Sequence, residues 1–154
     1  MIDKKYLETL EFPKILSLLA DHTDFSAGRE LALALRPLTD LDEAQARQQE
    51  TSEARWLMDT QGAIGVGGAR DVRSRVETTV RGATLPPADL LEIAETLASG
   101  RKLKRSLRRT ADQAPHLAAI ASRIEECPDL TSEIHRCIDD QGEVVDNASP
   151  KLAR

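Results

Sequence analysis

Apolar residues in this chain recur at helical spacing. Lys4 to Leu10 makes an opening turn and a half that leads into Glu11-Phe12-Pro13. Proline suits a first helical position there, because its missing N–H would have no intrahelical partner anyway. Ile15, Leu16, Leu18 and Leu19 then predict a strongly apolar helix to about Asp21. After Ser26, a residue suited to capping, Ala27, Leu31, Ala34 and Leu35 repeat at i, i+4, i+7 and i+8. Arg36-Pro37 ends that helix, since the residue before proline is pushed out of the α region.

Asp40 with Glu43 reads as a capping box and starts the longest unbroken helical pattern, about Leu41 to Thr60. Its apolar stripe is thin (Leu41, Ala44, Ala54, Leu57, Met58), as expected of a helix that lies across a surface or bridges to another module. Gly62 to Gly68 is the main loop, and Asp71 can cap a short helix through Val76 and Val80 that Gly82 stops. Leu85-Pro86-Pro87 opens a long helix holding Leu90, Leu91, Ile93, Ala94 and Leu97, and helices from Pro115 to Glu126 and from Asp129 to Ile138 follow. Gln141-Gly142 turns the chain before Glu143-Val144-Val145, the one strand-like stretch. The expected cores are the leucine-rich helices Leu10–Leu19, Ala27–Leu35 and Leu90–Leu97, so Leu19→Ala should cost about 2–5 kcal/mol.

Composition supports the same class. The aromatics are only Trp56, Tyr6, Phe12 and Phe25, whereas β sandwiches favour aromatic and β-branched residues. The expected fold is all-α: an irregular multi-helix domain with at most a short β-hairpin near 140–146. No apolar run approaches the ~18 residues of a membrane span, and Met1-Ile-Asp-Lys-Lys lacks a signal peptide's apolar stretch, so a cytoplasmic address and no membrane partner are expected. Ser149-Pro150 has the form of a helix start, with barely a turn of chain after it. The expectation is one N-terminal helical domain over 1–154, truncated from a longer chain.

Charge singles out one place. In a chain of formal net charge −5, Arg101, Lys102, Lys104, Arg105, Arg108 and Arg109 fall within nine residues with no acid among them. At about 100° per residue, Arg101, Lys104, Arg105 and Arg108 share a helix face, with Lys102 and Arg109 beside it and Leu103 and Leu107 opposite. The line continues that of Leu90, Ala94 and Leu97, so the helix either breaks at Gly100 or runs past the edge of its core. Such a patch suits a phosphate backbone, without sequence reading, because no aromatic is interleaved for stacking. The plainer alternative is a solvated helix end, where cations are favoured. Glu125 to Asp146 carries eight acids against the single Arg136, and could pack on the basic helix or repel phosphate.

Other candidate chemistry is thin. Cys127, His135 and Cys137, with His116 upstream, lack the close ligand pairs of structural zinc, and residues two apart on a helix diverge by about 200°, so no metal is expected. The same residues allow, as a remote third reading, a small enzyme using Cys127 and His135. The GAIGVGG stretch (62–68) lacks the lysine of a P-loop and follows a polar helix rather than a strand, which makes it a connector.

The segments taken in order resemble the N-terminus of the second bacterial branch of the MutS family, MutS-two. The resemblance is carried by LETLEFPKILSLLA (Leu7 to Ala20), GRELALALRPLTDLDEA (Gly28 to Ala44) and ETSEA (Glu50 to Ala54). GGARDVRSRVETTVRGATLPPADLLEIAETL (Gly67 to Leu97) and DDQGEVVDNASPKLAR (Asp139 to Arg154) continue it; Arg101 to Pro128 matches least. The resemblance implies a long protein with a helical core and lever region, a clamp, a dimerising ATPase that takes ATP and Mg, and a C-terminal Smr nuclease. It also implies branched DNA or the ribosome as partners, suppression of recombination, and splitting of collided ribosomes. The family's Walker motifs and Smr nuclease residues have no matching positions here, so the segment itself is expected to be non-catalytic and without a cofactor.

Overall fold

A computed structural model describes residues 4–62, 67–149 and 151–152. Its elements are α-helices with one short 3-10 turn at Asp146–Ala148, and among the described residues the only β pairing is one antiparallel bridge between Ile138 and Val144. The all-α class is therefore correct, and the hairpin near 140–146 is reduced to that bridge. Its neighbours are the hydrogen bonds from Asp139 N–H to the Glu143 carbonyl and from Val145 N–H to the Cys137 carbonyl, both 3.0 Å.

Helix α1 (Lys4–Thr9) leads into α2 (Phe12–Asp21), which has Pro13 in its first turn and is entered through a left-handed Glu11. Helix α3 (Ser26–Ala34) folds back on α2 through Leu16, Ala20 and Ala32. Arg29 reaches across to the end of α2, donating to the Ala20 carbonyl and the Asp21 carboxylate, 3.0 Å each, where a cation meets the negative end of the helix dipole. Ser26 does not cap α3. It is the first helical residue, and its Oγ donates instead to Asp71 Oδ2 at 2.7 Å.

The expected leucine cores of this hairpin are corrected by the structure. Leu10, Leu19, Leu31 and Leu35 are all exposed, Leu31 by 72 % and Leu19 by 44 %. The ten-residue α2 and nine-residue α3 bury Leu16, Ala20 and Ala32 along the seam between them and leave these outer leucines exposed.

The rest forms a bundle around one long helix. Asp40 caps α4 (Leu41–Gln61), accepting the Glu43 N–H at 2.8 Å, as the capping pattern requires. Helix α5 (Arg73–Val80) begins after Asp71, whose Oδ1 accepts the Arg73 N–H. Helix α6 (Pro87–Arg109) runs unbroken through Gly100, and α7 (Pro115–Ser122) and α8 (Pro128–Cys137) pack on it. Helix α7 stops at Ser122, one turn short of the expected Glu126. The loop glycines flank Ala63 to Val66, which lie outside the described residues, as do Pro150 and hence the expected helix start at 149–150.

Helix α6 serves two cores on nearly opposite faces. Near its start Ala94, with Leu90 and Leu91, packs against Ile134 and Ile138 beyond α8. Near its end Leu107, with Leu103, packs against Leu57 of α4 and Ala114, Ala121, Leu117 and Ile124 around α7. At about 100° per residue those two sets of side chains leave the helix roughly 190° apart. Gly100 sits at the changeover, where an added Cβ would meet Ile124 Cγ2 at 3.3 Å. Helix α5 ties the bundle to the hairpin by charge. Arg75 pairs with Asp89 and Glu92 of α6, and Arg73 pairs with Glu30 of α3.

Candidate nucleic-acid interface

The basic residues stand on the part of α6 that has passed beyond α8. Helix α8 packs its far end on Ala94 and begins beside Arg101 and Lys104, where Glu126 of the preceding loop touches both. Past that point the face that α8 covered earlier is exposed among the described residues, at Arg105, Arg108 and Arg109. The six cations therefore occupy the continuation of an apolar stripe because the core has moved to the other side of the helix. Of the two possibilities left open by the pattern, continuation past the core edge is the one observed.

The six are not equivalent. Lys104, the most buried, donates to the Ile124 carbonyl at 2.8 Å and lies 3.5 Å from Glu126 Oε1. Arg101 Nε lies 4.0 Å from Glu126 Oε2. Lys102, Arg105, Arg108 and Arg109 are exposed and make no ion pair among the described residues. A groove of about 320 Å³ opens beside them, lined by Leu97, Ala98, Arg101, Lys102 and Arg105 of α6 with Glu126 and Thr131. Arg108 and Arg109 also sit in the last turn, where the dipole favours positive charge. The acidic segment 125–146 contributes only Glu126 to this surface; Glu133 turns to Arg136 at 2.6 Å instead.

The cysteine and histidine candidates do not converge. His116 is held by Glu53, Cys127 is exposed, and Cys137 lies near Glu133 and the Ala148 carbonyl. Among the described residues no three metal-ligating side chains gather. The patterning overlooked Glu53 as a structural residue. It stands four residues before Leu57 on the buried side of α4, and that spacing is the one signal that marks it.

Comparison with known proteins gives a consistent result. No protein-family profile matches the chain. It is 46 % identical over 152 residues to endonuclease MutS2 of Symbiobacterium thermophilum, covering 99 % of this chain and 19 % of that protein. It is 39 % identical over 153 residues to endonuclease MutS2 of Brevibacillus brevis (98 % and 20 %). For endonuclease MutS2 of Pelotomaculum thermopropionicum the identity is 37 % over 153 residues (99 % and 20 %). The chain thus spans about a fifth of the length of the relatives it matches.

Proposed function

We propose that this chain, similar along essentially its whole length to those endonucleases, is a structural module on which the rest of a longer nucleic-acid-acting protein is seated. The observation that carries this reading is the outward leucine surface of α2 and α3. Ile15, Leu18 and Leu31 are 56, 64 and 72 % exposed on helices that bury only their shared seam. Apolar surface gains roughly 25 cal/mol per Å² when water leaves it, and grouped apolar side chains mark contact surfaces. Roughly four-fifths of each relative lies outside the matched stretch, which makes the remainder of such a protein the natural occupant.

On this reading the longer protein is an ATPase and endonuclease that binds branched DNA, suppresses homologous recombination and splits collided ribosomes in the cytoplasm. ATP and Mg are held, and the homodimer formed, by a domain outside these residues. The present segment supplies no catalytic group and transmits mechanical state through α6. Among the described residues no helix is long and apolar enough to cross a membrane.

The test is a double substitution, Leu18→Gln with Leu31→Gln, made in the full-length protein and in the 154-residue chain. The full-length protein should lose several degrees of melting temperature and nuclease activity on branched DNA, while the short chain keeps its stability. An unchanged melting temperature in the full-length protein would overturn the reading.

A further inference from the structure

We infer that the face of α6 from Arg101 to Arg109 is a docking stripe for the phosphate backbone of duplex DNA, with Glu126 as a built-in competitor for its inner end. The inference rests on the reading of the whole protein as one that acts on nucleic acid, and it names a contact surface within this chain.

Three observations converge. Lys102, Arg105, Arg108 and Arg109 project from about two turns of helix without an acidic partner among the described residues. A net charge of −5 across the chain means that the stripe concentrates positive charge against the general sign of the molecule. Several cations elsewhere on the bundle are paired locally (Arg73 on Glu30 and Asp71, Arg75 on Asp89 and Glu92, Arg136 on Glu133), and those without an ion pair among the described residues, such as Arg55, Arg70 and Arg123, stand far apart in the sequence and form no comparable run. The stripe spans about 12 Å, at 1.5 Å rise per residue, a length over which duplex DNA presents roughly seven phosphate charges.

Glu126 gives the stripe a gradient. Its carboxylate stands between Arg101 and Lys104 at the mouth of the α6–α8 groove, holding two of the six cations. An incoming phosphate must displace that carboxylate to reach them, whereas the outer four are open at once. Recognition is of backbone charge, because the stripe carries cations with no aromatic side chain interleaved for base stacking.

Binding of the full-length protein to a labelled DNA duplex, a four-way DNA junction and an RNA hairpin, each across a salt series, tests this. Neutralising the outer four together (Lys102→Gln, Arg105→Gln, Arg108→Gln, Arg109→Gln) should weaken binding more than tenfold. It should also reduce the slope of log K against log salt by about 3, since each phosphate contact contributes ~0.7–0.9. Glu126→Gln should strengthen binding severalfold and steepen the slope. Arg81→Gln, an exposed cation just after α5 paired with Glu77, serves as the control that leaves both unchanged. Far-UV circular dichroism confirms that each variant keeps its helices. A response on the duplex or the junction supports the stripe, and a response on the RNA hairpin alone would overturn it as a DNA contact. Unaltered affinity and slope in the fourfold variant would overturn the stripe while leaving the reading of the whole protein intact. Failure of the unaltered protein to bind any of the three probes would overturn both.

Discussion

Glu53 of α4 holds the first turn of α7 through His116, its Oε1 lying 2.6 Å from His116 Nδ1. The same carboxylate accepts the Leu117 N–H through Oε2 at 3.0 Å. Glu53 is 3 % exposed, so one helix supplies from within the bundle the cap that the other lacks in its own sequence. Helix α7 starts Ala114-Pro115, and Ala114 has no side-chain acceptor to offer.

Removing that cap should be costly. Glu53→Ala strands the Leu117 N–H and the His116 ring at once, and a loss of about 1–3 kcal/mol in urea unfolding of the 154-residue chain is expected. A midpoint unchanged within error would show that the contact contributes nothing net.

The same pair sets an acid dependence. Burial acts to raise the Glu53 pKa, but the Leu117 N–H and His116 hydrogen bonds outweigh it and hold the group below its ordinary 4.5. A carboxylate depressed in the folded state contributes stability above its unfolded pKa and loses it as pH falls through the folded one. The wild-type urea midpoint should therefore drop below about pH 4.5, and Glu53→Gln should flatten part of that drop. Parallel pH profiles for the two proteins would contradict the assignment.

Burial also reorders the leucines. Leu57, 2 % exposed in the α4–α6–α7 core, should cost about 2–5 kcal/mol on truncation to alanine. Leu19→Ala, at a position 44 % exposed, should cost less than about 1 kcal/mol in the 154-residue chain, below the cost expected from its apolar run. Thermal unfolding of the two variants side by side distinguishes them, and equal losses would refute the placement of the core.

Arg73 is the clasp between hairpin and bundle. Its guanidinium donates to both Glu30 oxygens at 2.7 and 2.6 Å while also holding Asp71. The groups are exposed, so Arg73→Ala should change global stability by no more than about 1 kcal/mol. It should nonetheless speed amide exchange across α2 and α3, and Arg73→Lys should not restore protection, because an ammonium cannot make the forked contact. Unaltered exchange in the hairpin would remove Arg73 from this role.

Tight packing of small residues gives a further check. Ala94 is fully buried where α6 meets Ile134 and Ile138. Ala94→Leu should overpack that contact and cost about 1–3 kcal/mol, read as a lowered melting temperature. Tolerance of leucine there would mean that the helices separate easily.

Much of this protein is decided by local chemistry and so is legible along the chain. Pro13, Pro87 and Pro115 start helices because a helix's first N–H groups need no partner, and Asp40 caps α4 because its carboxylate reaches the Glu43 N–H three residues on. The all-α class and the similarity to MutS2 endonucleases are likewise properties of residue order. What faces what is not local. Leu19 sits in the strongly apolar α2 and Leu57 in the thin stripe of the polar α4, yet Leu57 is the one that is buried, because burial depends on which elements arrive from elsewhere in the chain. The α6 pattern allows either a break at Gly100 or a basic face past the core edge, and only the placement of α7 and α8 on opposite sides of one continuous helix decides it. Glu53 shows the same limit: its spacing permits an inward position, but its partners lie 63 and 64 residues away, and a hydrogen bond across that separation exists only once the helices have packed.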